Sequence, residues 1–224
     1  MLRKSLMLLV VVLAFSSVSL FAQSDRKTEF ALGYSNLQGQ GLPNQNNLTG
    51  IFGSDFFNNR STLHGFGTEV TAYPSDKFGL TGDFSFNANT AKSQFSLGQS
   101  SLETNVFYFM GGPSVSFGSG KLQPFGHFLA GGAYTRFKAS FEPAFLGNLA
   151  STSFKVGATD FALGIGGGLD VPLSGFKLRV LQVDYTPIFL RDQSIGTLSG
   201  FGLQPFNLNG NRMDNVRFTF GVVF

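Results

Sequence analysis

Apolar residues take turns with small or polar ones along most of this chain. Phe30, Leu32 and Tyr34 interleave with Glu29, Ala31, Gly33 and Ser35, and Phe66, Val70 and Ala72 with Gly65, Gly67, Glu69 and Thr71. Phe78, Leu80, Phe84 and Phe86 alternate with Gly79, Thr81, Asp83 and Ser85. Phe161, Leu163, Ile165, Leu169 and Val171 alternate with Asp160, Ala162, Gly164, Gly166, Gly168 and Asp170, and Val216, Phe218, Phe220, Val222 and Phe224 with Arg217, Thr219, Gly221 and Val223. A period of two is that of a β-strand with two unlike faces. Three further strands are predicted near 102–116, 123–137 and 177–190, where apolar residues occupy both phases and leave the faces open. That makes eight. After Ala22 no 18 apolar residues run together and few stretches keep helical spacing, which argues against a membrane helix and a helical bundle.

The connections between these strands alternate in length. Short turn chemistry joins strands two and three (Pro74-Ser75-Asp76-Lys77), four and five (Phe117-Gly118-Ser119-Gly120-Lys121) and six and seven (Pro172-Leu173-Ser174-Gly175). The other four connections, 36–62, 87–101, 138–154 and 191–213, read as long loops, Asn- and Gly-rich in places. If the strands run antiparallel in sequence order, every short turn falls at one end and every long loop at the other. This is the asymmetry of a bacterial outer-membrane barrel.

Alternation alone does not say whether the apolar face meets a core or a bilayer, but the other face does. A soluble barrel would carry long charged side chains there; this one carries mostly Gly, Ala, Ser and Thr with an occasional acid. Small residues suit the cramped interior of an eight-stranded barrel. The Phe-, Leu- and Val-rich face then meets hydrocarbon, strands of about 9 to 11 tilted residues span it, and closure leaves no backbone group unpaired in lipid. The composition agrees: only 13% of residues are charged, against 29 Gly and 28 Phe in 224, where a soluble domain has roughly 25% charged residues.

Of the 16 basic residues, Arg3 and Lys4 sit at the start, before an apolar run and the small residues that end at Ala22. Residues 1–22 read as a signal peptide, with cleavage after Ala22 or, alternatively, after Ser19. The remaining chain, 23–224, has 14 basic and 13 acidic residues and no basic cluster larger than Arg26-Lys27, so nucleic acid is not an expected partner. With no cysteine, a disulfide scaffold, a thiolate metal site and a Cys nucleophile are excluded.

The alternating strands, the Gly-rich 164–170 stretch, the run from Arg179 to Tyr185 and the terminal Phe224 resemble the small eight-stranded outer-membrane barrels of the OmpA/OmpX type, over about residues 25–224. The resemblance implies an all-β, eight-stranded antiparallel up-and-down transmembrane barrel in the bacterial outer membrane. It also implies contact with outer-membrane lipids and lipopolysaccharide. In that family a terminal aromatic preceded by alternating apolar residues is read by the outer-membrane assembly machinery, which assigns that role here to Phe220, Val222 and Phe224. The soluble peptidoglycan-binding domain of OmpA itself has no counterpart in this sequence, so cell-wall tethering is not implied.

By the alternation Glu69, Asp83 and Arg217 point into the lumen. Asp160 and Asp170 join them nearer the ends of strand six, and Asp184 and Gln182 do so if Val183 and Tyr185 face outward. Charges in a narrow lumen are costly unless paired, so one internal network is expected to plug the barrel, the functional alternative being a gate or ion pathway. The excess of acids calls for another inward cation, with His127 the candidate, or for a protonated carboxyl. His64 shares the outward phase of Phe66, but Phe66 stands where a serine nucleophile of a lipid A hydrolase would be wanted. No catalytic residue, cofactor or metal is therefore assigned. Gly164-x-Gly166-Gly167-Gly168 lies within a strand and reads as close packing rather than a nucleotide loop. Apolar residues in the long loops (Ile51-Phe52, Phe56-Phe57, Phe145-Leu146, Phe201 and Phe206) would either cap the barrel mouth or bind an extracellular partner. The function expected is membrane integrity or surface interaction, with a narrow channel as the alternative.

Overall fold

A computed structural model describes residues 27–39, 61–95, 98–118, 120–143, 152–190, 193–195, 206–208 and 212–224. The predicted signal peptide, most of the first long loop, Phe145-Leu146 and Phe201 lie outside them. The strands are β1 (Lys27–Gly39), β2 (Ser61–Tyr73), β3 (Phe78–Phe95), β4 (Gly98–Ser116), β5 (Gln123–Pro143), β6 (Thr152–Pro172), β7 (Lys177–Tyr185), β8 (Ile188–Phe189), β9 (Gln193–Ile195), β10 (Phe206–Leu208), β11 (Arg212–Met213) and β12 (Val216–Val223). Each of β1 to β6 pairs antiparallel with the next, β12 pairs with both β7 and β1, and the barrel closes on eight strands. The short β8 and β11 pair with each other, continuing the β7 and β12 positions beyond Thr186-Pro187 and Asp214-Asn215, while β9 and β10 form a separate two-stranded ribbon that includes Phe206. This is the architecture that the OmpA/OmpX resemblance implies.

Closure reaches the last residue: Phe30 and Phe224 exchange both backbone hydrogen bonds, at 3.0 and 2.8 Å. The three predicted turns connect β2 to β3, β4 to β5 and β6 to β7, all at one end. Gly118 and Gly175, in two of them, have φ of 100° and 92°, a left-handed conformation that a residue without Cβ adopts at little cost.

The predicted faces hold on β1, β2, β3, β6 and β12. Phe78 and Phe161 are 65% and 52% exposed on the outside, while their neighbours in the opposite phase are buried inside. Register lines the outward aromatics into one row across six strands, Phe220, Tyr34, Phe66, Phe86, Phe107 and Tyr134. Within it the Phe86 and Phe107 ring centroids are 4.6 Å apart.

Two expectations are corrected. The stretch 87–101 is not a long loop: β3 runs on to Phe95 and β4 starts at Gly98, with Asn87 opposite Val106 and Phe95 opposite Gly98. Likewise β5 and β6 occupy most of 138–154, with Lys138 opposite Lys155 and Phe141 opposite Thr152. Their Asn, Thr, Ser and Lys residues resemble a solvated loop, but backbone pairing there needs no apolar face. The 21 residues of β5 extend roughly 70 Å at 3.3 Å each, well beyond what a spanning strand requires, so β3 to β6 continue past the apolar band as a four-stranded sheet.

The second correction concerns the lumen, which is not lined by small residues throughout. Toward the long-loop end it is filled by an apolar layer built on Leu37, Leu63, Tyr108, Leu129, Ile188 and Met213, all buried. Three of them, Tyr108, Leu129 and Ile188, belong to the stretches whose apolar residues occur in both phases, where inward and outward faces are each apolar.

Candidate functional site: the polar lumen

Below the apolar layer, toward the short turns, the lumen holds a connected set of ionised and amide side chains. β12 carries Arg217, β3 Asp83, and β7 Asp184, with Asp184 opposite Arg217 in the strand register. The Arg217 guanidinium donates from Nη1 and Nη2 to the two oxygens of Asp83 at 2.9 and 3.0 Å. It also donates from Nε and Nη2 to Asp184 Oδ2 at 3.1 and 2.8 Å, and from Nη1 to Ser85 Oγ at 2.7 Å. A planar donor fork meeting a carboxylate in two parallel bonds is among the stronger polar contacts available to a protein. Arg217 is 1% exposed.

A second guanidinium, Arg179 of β7, joins the lumen in addition to the residues that alternation places there. It donates to both oxygens of Asp170 at 2.9 and 3.2 Å, to Glu69 Oε2 at 2.6 Å and to Gln182 Oε1 at 2.7 Å. Its Cζ lies 4.2 Å from the centroid of the Phe125 ring, a cation–π contact. Gln182 links the two halves by donating from Nε2 to Glu69 Oε1 at 2.6 Å and to Asp184 Oδ2 at 2.8 Å. The result is one chain of contacts, Asp83, Arg217, Asp184, Gln182, Glu69, Arg179 and Asp170.

His127 points inward, with Nε2 2.9 Å from Asp184 Oδ1. Four carboxyl groups thus face two guanidiniums and an imidazole, which supplies the further basic groups that the acidic excess demands. The bond from His127 on β5 to Asp184 on β7 passes over β6 at Gly166, which is opposite both residues. A Cβ built on Gly166 would lie 2.2 Å from Asp184 Oδ1, so the Gly-rich stretch of β6 is close packing, as its position in a strand implied. Gly33, Gly67 and Gly221 form a similar row on three adjacent strands. They border a cavity of about 10 Å³ that also touches Glu69, Asp83 and Arg179, room for about one water molecule.

Of the predicted lumen residues, Glu69, Asp83, Asp184 and Arg217 come together, with Asp170 joined through Arg179. Asp160 is also buried, but it stands opposite Ala133, six residues from Gly166 along β6. At strand spacing that is about 20 Å from the level of Asp184, on the apolar side of the lumen. Phe220 and Phe224 of the predicted assembly signal are exposed on the outer surface, and Val222 shares their phase. His64 also lies outside, bonded through Nδ1 to the Tyr34 hydroxyl and 3.4 Å from Asn36 Nδ2.

No family model and no curated protein matches the sequence. Among solved structures the chain is similar to Ail, the attachment invasion locus protein of Yersinia pestis, with 14% identity over 88% of this chain and 97% of that one and a TM-score of 0.49. A structure of Ail in complex with the heparin analogue sucrose octasulfate gives the same identity and TM-score, over 90% of this chain and 100% of that one. Neisserial surface protein A is similar at 12% identity over 89% and 98% of the two chains, with a TM-score of 0.38. The outer membrane protease OmpT from Escherichia coli is similar at 6% identity over 89% and 96%, with a TM-score of 0.43.

Proposed function

We propose that this protein is a bacterial outer-membrane barrel that serves envelope integrity or surface interaction rather than conduction or catalysis. The observation that carries the reading is the double filling of the lumen: the Arg217 and Arg179 network, and beyond it the apolar layer of Leu37, Leu63, Tyr108 and Leu129. An ion crossing that interior would have to part a buried guanidinium from two carboxylates and then pass a closely packed apolar cluster. The outward band of Phe, Leu and Val supports a membrane location, and the long-loop end, with its extended β3 to β6 sheet, is the part offered to an extracellular partner. On this reading lipopolysaccharide surrounds the barrel, and the assembly machinery engages β12 through Phe220, Val222 and Phe224.

The test is electrical. Purified protein in planar bilayers is expected to give no resolved unitary conductance while showing heat-modifiable migration on a denaturing gel. Steady conductance steps would overturn the reading in favour of a channel. Deacylation of lipid A that disappears in His64→Ala would overturn it in favour of an enzyme.

A further inference from the structure

On the outer face of the described strands, no ionised side chain interrupts the apolar band of β3 to β6 between the short turns and the Phe86, Phe107 and Tyr134 row. Immediately beyond that row the chemistry changes. Arg136 and Lys138 follow Tyr134 at two-residue steps on β5, and Lys155 of β6 stands directly opposite Lys138. Residues two apart share a face about 7 Å from each other, so three cations gather on one patch. Glu103 of β4, opposite Lys138, contributes the nearby acid, with its Oε2 3.7 Å from Lys138 Nζ. The outward residues flanking Arg136 are Asn105 and Gly157.

Like charges directly opposite on neighbouring strands destabilise a sheet, and here the Lys138 and Lys155 pair adjoins a further cation, with Glu103 the one carboxylate paired to the patch among the described side chains. Elsewhere on the same rim Arg212 pairs with Asp214 at 2.7 Å. Among the described residues of this rim Lys92 of β3 is a further exposed cation, but the directly opposed pair lies in the β5 and β6 sector, at the depth where aromatic side chains give way to polar ones. That depth is where the headgroups of a surrounding bilayer lie.

We propose that Arg136, Lys138 and Lys155 form a binding patch for the phosphates of an outer-leaflet glycolipid, with Phe107 and Tyr134 beneath them against its acyl chains. The proposal rests on the outer-membrane reading above and adds a ligand and its residues. Guanidinium supplies bidentate donors for phosphate and ammonium supplies compact charge. The anion relieves the Lys138 and Lys155 repulsion, and the lipid is fixed to one sector of the barrel.

The full chain in mixed micelles, titrated with bisphosphorylated lipid A and separately with the same lipid stripped of phosphate, gives the test by native mass spectrometry. The phosphorylated form is expected to bind about tenfold more tightly, since each basic residue adds attraction for an anionic headgroup, with the preference falling as salt rises. Arg136→Gln/Lys138→Gln/Lys155→Gln removes the preference, Lys77→Gln/Lys121→Gln at the turn end keeps it, and Glu103→Gln increases it. Retention of the preference by the triple variant, or equal loss in the turn-end variant, overturns the proposal. Displacement of lipid A by inorganic phosphate at equal concentration overturns the lipid assignment and leaves a free-phosphate site. Heat-modifiable migration checks folding of each variant; should the triple variant not fold, Lys155→Gln and Glu103→Gln are read instead, and shifts that are not opposite in sign overturn the proposal. Failure here leaves electrical silence unaffected, whereas a conducting barrel would overturn the functional reading without touching lipid preference.

Discussion

Arg217 on β12 grips Asp83 on β3 through two parallel N–H···O bonds of 2.9 and 3.0 Å, although β1 and β2 stand between those strands in the barrel order. Three strand spacings of about 4.8 Å separate them along the wall, so the pair is a chord across the lumen and not a neighbour contact along it. Such a chord joins opposite parts of a sheet that backbone pairing connects only in sequence.

Removing one end of that chord strands the other. Arg217→Ala is expected to destabilise the barrel by about 3–5 kcal/mol, because Asp83 and part of Asp184 would remain buried without their cation. Arg212→Ala, which breaks an exposed pair with Asp214, should cost far less, because solvent screens that pair. Urea-dependent folding into micelles for both variants measures the contrast, and equal midpoints would contradict it.

The outer face gives a test of orientation. Phe84→Arg places a cation in the middle of the apolar band and is expected to cost about 2–4 kcal/mol and impair assembly. Thr90→Arg, six residues along the same face and past Phe86, should be tolerated. Folding yield into vesicles of defined thickness reads both, and indifference to Phe84→Arg would reverse the assignment of lipid to this face.

The glycines of the barrel wall are predicted to matter unequally, according to what a Cβ would meet. Gly166→Ala brings a Cβ to 2.2 Å from Asp184 Oδ1 and 2.3 Å from the Val183 carbonyl, whereas a Cβ at Gly82 meets nothing within 4 Å. Overpacking of this kind costs about 1–3 kcal/mol. Gly166→Ala should lower the temperature of the heat-modifiable shift and Gly82→Ala should leave it in place.

Much of this interior is legible from alternation because a residue's phase fixes its side. Glu69, Asp83 and Arg217 are placed in the lumen by counting in twos, and Asp184 by taking Val183 and Tyr185 as outward. Arg179 shows where counting fails. β7 uses three residues from Arg179 to Gln182 where β12 uses two from Gly221 to Thr219. Val180 and Leu181 are therefore both exposed, at 43% and 37%, while Arg179 and Gln182 both turn inward. Counting back from Asp184 through Gln182 would have put Val180 inside and Arg179 in lipid. A bulge carries no apolar signature of its own, and the telling sign was the cost of an arginine facing hydrocarbon. Tyr108 and Leu129 were hidden for a different reason: on β4 and β5 both faces are apolar, one against acyl chains and the other against the lumen layer, so no period marks the inward side.

That layer has its own polar anchor, and it yields a last prediction. The Tyr108 hydroxyl, fully buried, donates to the Thr186 carbonyl at 3.1 Å and accepts from Asn215 Nδ2 at 2.8 Å. Thr186 and Asn215 sit where β7 and β12 are interrupted before β8 and β11, and the Thr186 N–H donates to the Asn215 carbonyl at 2.8 Å. One side chain from β4 thus ties together the breaks in two strands on the far side of the barrel. Tyr108→Phe keeps the ring and removes both hydroxyl bonds, at a cost of about 1–3 kcal/mol for the buried groups left unmatched. Because the freed groups belong to the β7 to β8 and β11 to β12 junctions, the loss should be local. Amide hydrogen exchange is expected to quicken at Thr186 and its neighbours while the β1 to β3 amides keep their protection; uniform acceleration around the barrel would contradict an anchor at this place.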